Sequence, residues 1–176
     1  MNIEQQKFIE REKFRSLRKV NSEYAKNNVK KNVIKFLDIY FKNEDLKNYL
    51  AIYWPLKDEI DLRNLAKKFS IALPKCLPDK ALEFHAWENT PLVKDIQGIP
   101  SPQNDFLLNH NQISIIFVPC LSIDKKFIRL GYGGGYYDYL RSDYLWGSIP
   151  CIGILTSNCI SKSLLPKANW DIPLSG

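Results

Sequence analysis

The chain has 176 residues, 45% hydrophobic and 25% charged, which suits one soluble globular domain and excludes collagen-like and low-complexity classes. No apolar run approaches the roughly 20 residues of a membrane span, and Met1 to Lys13 lacks the apolar stretch of a signal peptide, so a cytoplasmic protein is expected. The net charge of +6 is confined to the N-terminal quarter, because residues 1–43 carry eleven Lys/Arg against five Asp/Glu and the rest carries fourteen of each.

Such a basic segment reads as a nucleic-acid surface, as a site for a polyanion such as a nucleotide triphosphate or a polyglutamate tail, or as a solvated helix face. Residues 4–27 lack Pro and Gly, and Phe8, Phe14, Leu17 and Tyr24 recur at near-helical spacing, which predicts a basic amphipathic helix. A second helix is expected from Val29 to Phe41, with Val33, Phe36, Leu37 and Tyr40 on one face and Asn43 as its stop. Tyr49 to Trp54, closed by Pro55, reads as a buried strand. Glu59 to Phe69 has a helical pattern, and Ser70 to Leu73 before Pro74 reads as a short strand. Leu82, Phe84 and Ala86 alternate with Glu83, His85 and Trp87, a strand with one wetter face. Residues 88–111 look like a long loop with a turn of helix. Ile113 to Val118, ended by Pro119, is a central-strand signal, Tyr136 to Leu145 reads as a helix, and Cys151 to Leu155 as the next strand. Strands alternating with helices predict an α/β fold, one three-layer domain with a mostly parallel sheet flanked by helices. Cys76, Cys120, Cys151 and Cys159 are scattered and far in sequence from His85 and His110, so reduced, buried thiols are expected rather than zinc ligands.

The segment richest in chemistry runs from Ile128 to Tyr139, with glycines at 131, 133, 134 and 135. Glycines let backbone N–H groups approach and converge on phosphate oxygens; a tight structural turn is the other reading. Gly-Lys-Ser/Thr is missing, so this is not a Walker A loop, and the dinucleotide fingerprint is also absent. Arg129 precedes the loop as a cation able to fork onto phosphate. Asp138 follows it, either as a hard oxygen ligand for nucleotide-bound Mg²⁺ or as an ordinary helix N-cap.

Pro119-x-Leu-x-x-Asp124 followed by Arg129-Leu-Gly-Tyr-Gly-Gly-Gly-Tyr-Tyr-Asp138 resembles the signature of the 5-formyltetrahydrofolate cyclo-ligases, also called 5,10-methenyltetrahydrofolate synthetases. The resemblance implies a Rossmann-like fold of the kind found in sugar-phosphate isomerases and CoA transferases. It also implies ATP-dependent conversion of 5-formyltetrahydrofolate, polyglutamated or not, to the 5,10-methenyl form by a cytoplasmic monomer that binds no nucleic acid, with Mg²⁺ as cofactor. It assigns Arg129, Tyr132, Gly134 and Tyr136 to catalysis. ATP would be held by Arg11, Arg15, Arg129, Leu130, Gly131, Tyr132, Gly133, Gly134, Gly135, Tyr136 and Tyr137. Arg11 and Arg15 are four residues apart on one helical face; Lys13 or Arg18 are alternatives. Trp54, Glu59 and the loop from Tyr132 to Tyr136 would bind the folate, and Asp138 and Asp171 the metal. A carboxylate at Glu59 suits the two donors of a pterin edge, although a first-turn helix acid is the plainer reading, and Trp54 either walls the pocket or closes the core.

Three departures accompany the resemblance. Ser101 replaces the glutamate of Gly-Ile-Pro-Glu-Pro, Cys120 replaces a glycine at the end of the central strand, and Phe127 and Ile128 occupy a turn where a glycine is usual. The chain also ends soon after Asp171, which leaves a catalytically impaired relative as a rival reading beside a basic nucleic-acid-binding module.

Overall fold

The computed structural model describes residues 1–41, 48–88, 90–103 and 106–176. The expected helix stop at Asn43 lies outside them.

Instead of one helix to residue 27, the basic segment forms α1 (Ile3–Lys19) and α2 (Glu23–Tyr40). The boundary is set by caps rather than by propensity. Asn2 and Gln5 form a reciprocal capping box on α1, and the Ser22 side chain accepts the Ala25 N–H at 3.2 Å to start α2. Neither Pro nor Gly interrupts Val20 and Asn21, yet a serine that satisfies an orphan N–H favours a new start.

Six strands form the main sheet. They are β1 (Tyr49–Ala51), β2 (Ile71–Cys76), β3 (Leu82–Ala86), the later short β6 (Leu107–Leu108), β7 (Ile113–Pro119) and β10 (Cys151–Ile154). Their order is β10-β7-β1-β2-β3-β6. The first four run parallel, and β3 and β6 add antiparallel. Between β3 and β6, β4 (Leu92–Lys94) and β5 (Pro100–Pro102) pair as a hairpin, so the expected loop of residues 88–111 holds three short strands. After β7, β8 (Ser122–Ile123) and β9 (Arg129–Leu130) form a second hairpin. α3 (Tyr136–Ser142) and α4 (Tyr144–Gly147) replace the single helix expected to Leu145, because the Asp143 carboxylate caps Leu145 and Trp146 N–H groups at 2.9 and 3.1 Å. The helix expected over Glu59 to Phe69 shrinks to a 3₁₀ turn, Arg63–Lys67. Asp61 accepts the Arg63 N–H at 2.9 Å just ahead of that turn.

β2 continues through Pro74, which sequence reasoning treats as a stop. Ile52 donates to the Ala72 carbonyl, so Ala72 and Pro74 face β1, and β1 ends at Ala51. Pro74 therefore removes no ladder bond.

Alternation along the strands separates two cores. Leu50, Leu73, Ile115 and Phe117 meet Val33 and Leu37 of α2 on one face; Ala51, Ala72, Ile116 and Val118 meet Leu140 of α3 on the other. Burying each such large side chain contributes about 1.5–3 kcal/mol. A third cluster holds α1 over the β8–β9 hairpin, with Phe14 against Leu121, Ile128 and Leu130. Phe8 and Tyr24, expected on the apolar face, are 61% and 75% exposed. The inward stripe of α1 is instead Lys7, Arg11, Phe14 and Arg18, spaced i, i+4, i+7 and i+11. No described helix is long and apolar enough to cross a membrane.

The departures are absorbed locally. Ser101 is fully buried, with its hydroxyl donating to the Val93 carbonyl at 3.3 Å. Cys120 is accommodated because its sulfur sits over Gly153, where an added Cβ would lie 3.0 Å away. Phe127 adopts a left-handed φ of 59°, the conformation a glycine takes without strain. Residues 174–176 lie beside β10, with Ser175 donating to the Cys151 carbonyl and Gly153 donating to that of Gly176. Arg141 secures this tail by donating to the Ile172 and Pro173 carbonyls at 3.0 and 2.8 Å. The four cysteines are buried and unpaired, and burial pushes the Cys76 and Cys120 thiols up to about 12.

Candidate functional site

The site begins where β7 ends. The chain turns through the β8–β9 hairpin, whose tip is organised by Asp124. Its Oδ1 accepts N–H groups of Lys126 and Ile128 at 2.8 and 3.0 Å, and its Oδ2 accepts that of Leu165 at 2.9 Å. Fixing that tip sets the register of Arg129, the first residue of β9, opposite Ile123.

Arg129 lies beneath the glycine loop. Its Nη2 donates to Asp138 Oδ2 at 3.1 Å, its Nη1 to the Pro119 carbonyl at 3.4 Å, and its guanidinium stands 5.3 Å over the Tyr137 ring. Burial opposes its charge, but Asp138 and the surrounding thiols hold its pKa above the ordinary value. A Cβ on Gly131 would come within 2.9 Å of Nη1, so this loop position must be glycine for the guanidinium to pass. Gly133 and Gly135 have φ of 105° and 75°, conformations costly for other residues. Leu130 is buried in the α1 cluster, which leaves its backbone alone to face the loop.

Two further cations border the loop. Arg11 donates from Nε to the Gly131 carbonyl at 3.1 Å, and its guanidinium carbon lies 3.6 Å from where a Gly133 Cβ would be. Lys80 brings Cδ and Nζ to 3.4 and 3.7 Å from the corresponding point of Gly135. Tyr136, first residue of α3, packs its ring on Gly134 and accepts a hydrogen bond from Gln97 at 2.9 Å.

Arg15 instead pairs with Glu12 at 2.6 Å and is more than a third exposed. Its spacing from Arg11 matched a helix face, but α1 turns Arg18 inward in its place. Arg18 Nη1 lies 3.6 Å from Glu59 Oε1 and its guanidinium 5.0 Å over the Tyr132 ring. Glu59 Oε2 accepts the Leu56 N–H at 2.7 Å. Burial raises the Glu59 pKa, opposed by the Leu56 hydrogen bond and Arg18. Arg18 Nε and Nη1, Glu59 Oε1 and the Tyr132 hydroxyl are buried with no hydrogen-bond partner. Four such atoms in one cluster mark where a polar ligand would complete the bonding. The adjoining pocket is lined by Arg18, Tyr53, Glu59, Cys120, Ile154 and Thr156 among others.

Trp54 stands elsewhere, edge-on to Trp87 at 6.3 Å and 4.3 Å beneath the Arg63 guanidinium, closing the α2-side core. Asp171 is held by Lys7, whose Nζ lies 2.9 Å from Oδ1 and 2.6 Å from Oδ2, and Oδ2 also accepts the Ala168 N–H. Asp138 sits in the first turn of α3, whose N-cap is Gly135, so Asp138 is not the cap. Among the described residues, no three His, Cys, Asp or Glu side chains cluster as a metal site.

A parallel sheet covered on both faces, with Glu59 reached after β1 and the glycine loop after β7, defines a three-layer α/β protein. Its ligand site lies beyond the carboxyl ends of adjacent strands. Residues 5–175 match the model of the 5-formyltetrahydrofolate cyclo-ligase family, and the chain belongs to that family. It is 30% identical over 135 residues to the 5-formyltetrahydrofolate cyclo-ligase of Haemophilus influenzae, covering 71% of this chain and 72% of that one. It is 26% identical over 137 residues to the enzyme of the same name from Escherichia coli K12, covering 71% and 74%. The 5,10-methenyltetrahydrofolate synthetase structure from Aquifex aeolicus superposes with a TM-score of 0.74 at 26% identity, over 96% of this chain and 86% of that one. That from Mycoplasma pneumoniae shares the fold at a TM-score of 0.69 and 24% identity, over 96% and 94%.

Proposed function

We propose that this chain is an ATP-dependent ligase that converts 5-formyltetrahydrofolate to 5,10-methenyltetrahydrofolate, with release of ADP and phosphate. One observation carries the reading. Tyr132 belongs to the glycine loop through its backbone and to the Arg18–Glu59 pocket through its ring, so a nucleotide cradle and a polar pocket share a wall.

The formyl oxygen of an N-formyl group is a poor leaving group. Its attack on the γ-phosphorus transfers the phosphoryl group, releases ADP and leaves the formyl carbon electrophilic. N10 of the folate then bonds to that carbon and loses its proton, and the C–O bond breaks to release phosphate. No side-chain nucleophile is needed, so the protein's work is positioning and charge neutralisation. Arg129, Arg11 and the amides from Gly131 to Gly135 hold phosphate oxygens. Glu59 accepts hydrogen bonds from the pterin edge, and displacing Arg18 from Oε1 frees that oxygen. Tyr132, Gly134 and Tyr136 shape the boundary between the two substrates, while Leu130 and Tyr137 support the loop from below. Lys26 lines the pocket and suits the carboxylates of a glutamate tail.

Mg²⁺, when bound with the nucleotide, neutralises charge on the phosphates. Asp138 fits such an ion, because Oδ2 is the oxygen engaged by Arg129, leaving Oδ1 for a cation that keeps water and phosphate ligands. Asp171 fits only after exchange from Lys7. Buried unpaired thiols and the inward use of Lys7, Arg11 and Arg18 support a cytoplasmic enzyme over a nucleic-acid-binding module.

The test is direct conversion. Protein mixed with 5-formyltetrahydrofolate and Mg-ATP should generate methenyl absorbance and stoichiometric ADP. Absence of product, or product without ATP, overturns the reading.

A further inference from the structure

Lys80 borders the glycine cradle at Gly135 without being part of any sequence motif. It ends the turn between β2 and β3, which is closed by Leu77 donating to the Ala81 carbonyl at 2.9 Å. Asp79 and Lys80 hold consecutive left-handed φ angles of 58° and 62°, an arrangement glycine or asparagine would adopt with less strain. The backbone strain coincides with a specific placement. The lysine side chain is laid over Gly135, where an added Cβ would lie 3.4 Å from its Cδ and 3.7 Å from Nζ.

The other cations at the cradle have anionic company. Arg129 is paired with Asp138, and Arg11 lies 3.9 Å from Glu4. Among the described residues Lys80 has no carboxylate partner in an ion pair, and the residue is exposed. An uncommitted ammonium beside Gly135 adds a third positive charge to Arg129 beside Gly131 and Arg11 beside Gly133. Strongly hydrated ammonium groups bind phosphate as mobile point charges rather than forks, which suits a group whose charge shifts during transfer.

We infer that Lys80 is a further nucleotide-binding residue, contacting the polyphosphate of ATP from beside Gly135. This inference rests on the ligase reading of the site. The turn geometry permits a test that separates charge from folding. Lys80→Gly removes the ammonium but suits φ 62°, so it should melt at the same temperature as the parent or higher. Calorimetric titration with Mg-ADP should show about tenfold weaker binding for Lys80→Gly and Lys80→Gln, as loss of one charge-assisted contact implies. Lys80→Arg should bind within about twofold of the parent. The KM for ATP should rise in parallel, with the KM for 5-formyltetrahydrofolate unchanged. Parent-like Mg-ADP affinity in both uncharged variants overturns the inference and leaves the ligase reading standing. A parent protein that neither binds Mg-ADP nor forms product overturns both.

Discussion

Arg18 Nη1 and Glu59 Oε1 face each other at 3.6 Å, both buried and neither hydrogen-bonded. The distance is too long for a hydrogen bond and short enough for strong attraction. Desolvation is costly for the carboxylate, as the raised Glu59 pKa reports. A contact of this kind is poised for exchange, since a ligand donor that reaches Oε1 supplies the bond Arg18 does not make.

Glu59→Gln should therefore spare stability and impair folate use. The Glu59 pKa is raised, so its stabilising contribution is complete below the ordinary 4.5 and is lost as pH climbs through the raised value. The variant's melting temperature should match the parent near pH 4.5 and exceed it increasingly toward neutrality. The KM for 5-formyltetrahydrofolate should rise about tenfold or more, and in the parent it should rise as acid protonates Glu59. A destabilised Glu59→Gln protein with normal folate kinetics would refute the assignment.

Arg129→Lys should lower kcat/KM for ATP by roughly tenfold to a hundredfold, because one ammonium cannot hold Asp138, the Pro119 carbonyl and a phosphate together. Asp138→Asn should weaken dependence on Mg²⁺ as well. Steady-state rates over a magnesium titration separate the two, and unchanged rates in both variants would remove the pair from the site.

Lys7 and Asp171 should be coupled energetically. Their side chains are 8% and 11% exposed, so Lys7→Met strands a buried carboxylate and should cost about 3 kcal/mol, a fall in melting temperature of roughly 6–12 °C. Thermal melts of Lys7→Met, Asp171→Leu and the double variant measure the coupling. Additive effects would mean that the pair is not an interacting unit.

Phe127→Gly should stabilise the protein. Relief of the left-handed strain exceeds the added unfolded-state entropy of glycine by about 0.5–1 kcal/mol, worth roughly 1–4 °C. A lower melting temperature would show that the half-exposed Phe127 ring contributes more than its backbone costs.

Strongly patterned elements were legible in the sequence. Ile113 to Val118 became the interior strand β7, one residue longer, and the run from Cys151 became β10. Boundaries set by a single capping side chain were not, since Ser22 and Asp143 split stretches whose propensities are uniformly helical. The β4–β5 hairpin was missed because its proline-rich strands carry neither alternation nor β-branched runs. Within the candidate site, Arg129, the glycines, Asp138 and Glu59 were readable, the first three because they are contiguous. Arg18 stood only as an alternative to Arg15, although its spacing from Phe14 placed it on the buried stripe of α1. Tyr53 and Lys80 gave no local signal.

By itself the sequence determined the class of fold and the family, since these depend on hydrophobic period and on residues adjacent along the chain. Only tertiary structure decided which cations border the glycine loop. Packing Phe14 onto the β8–β9 hairpin rotates α1 until Arg11 and Arg18 point inward, and the left-handed turn at Asp79 and Lys80 carries a lysine across to Gly135. Charges distant in sequence converge through burial and backbone geometry, and no spacing rule along one chain encodes that convergence.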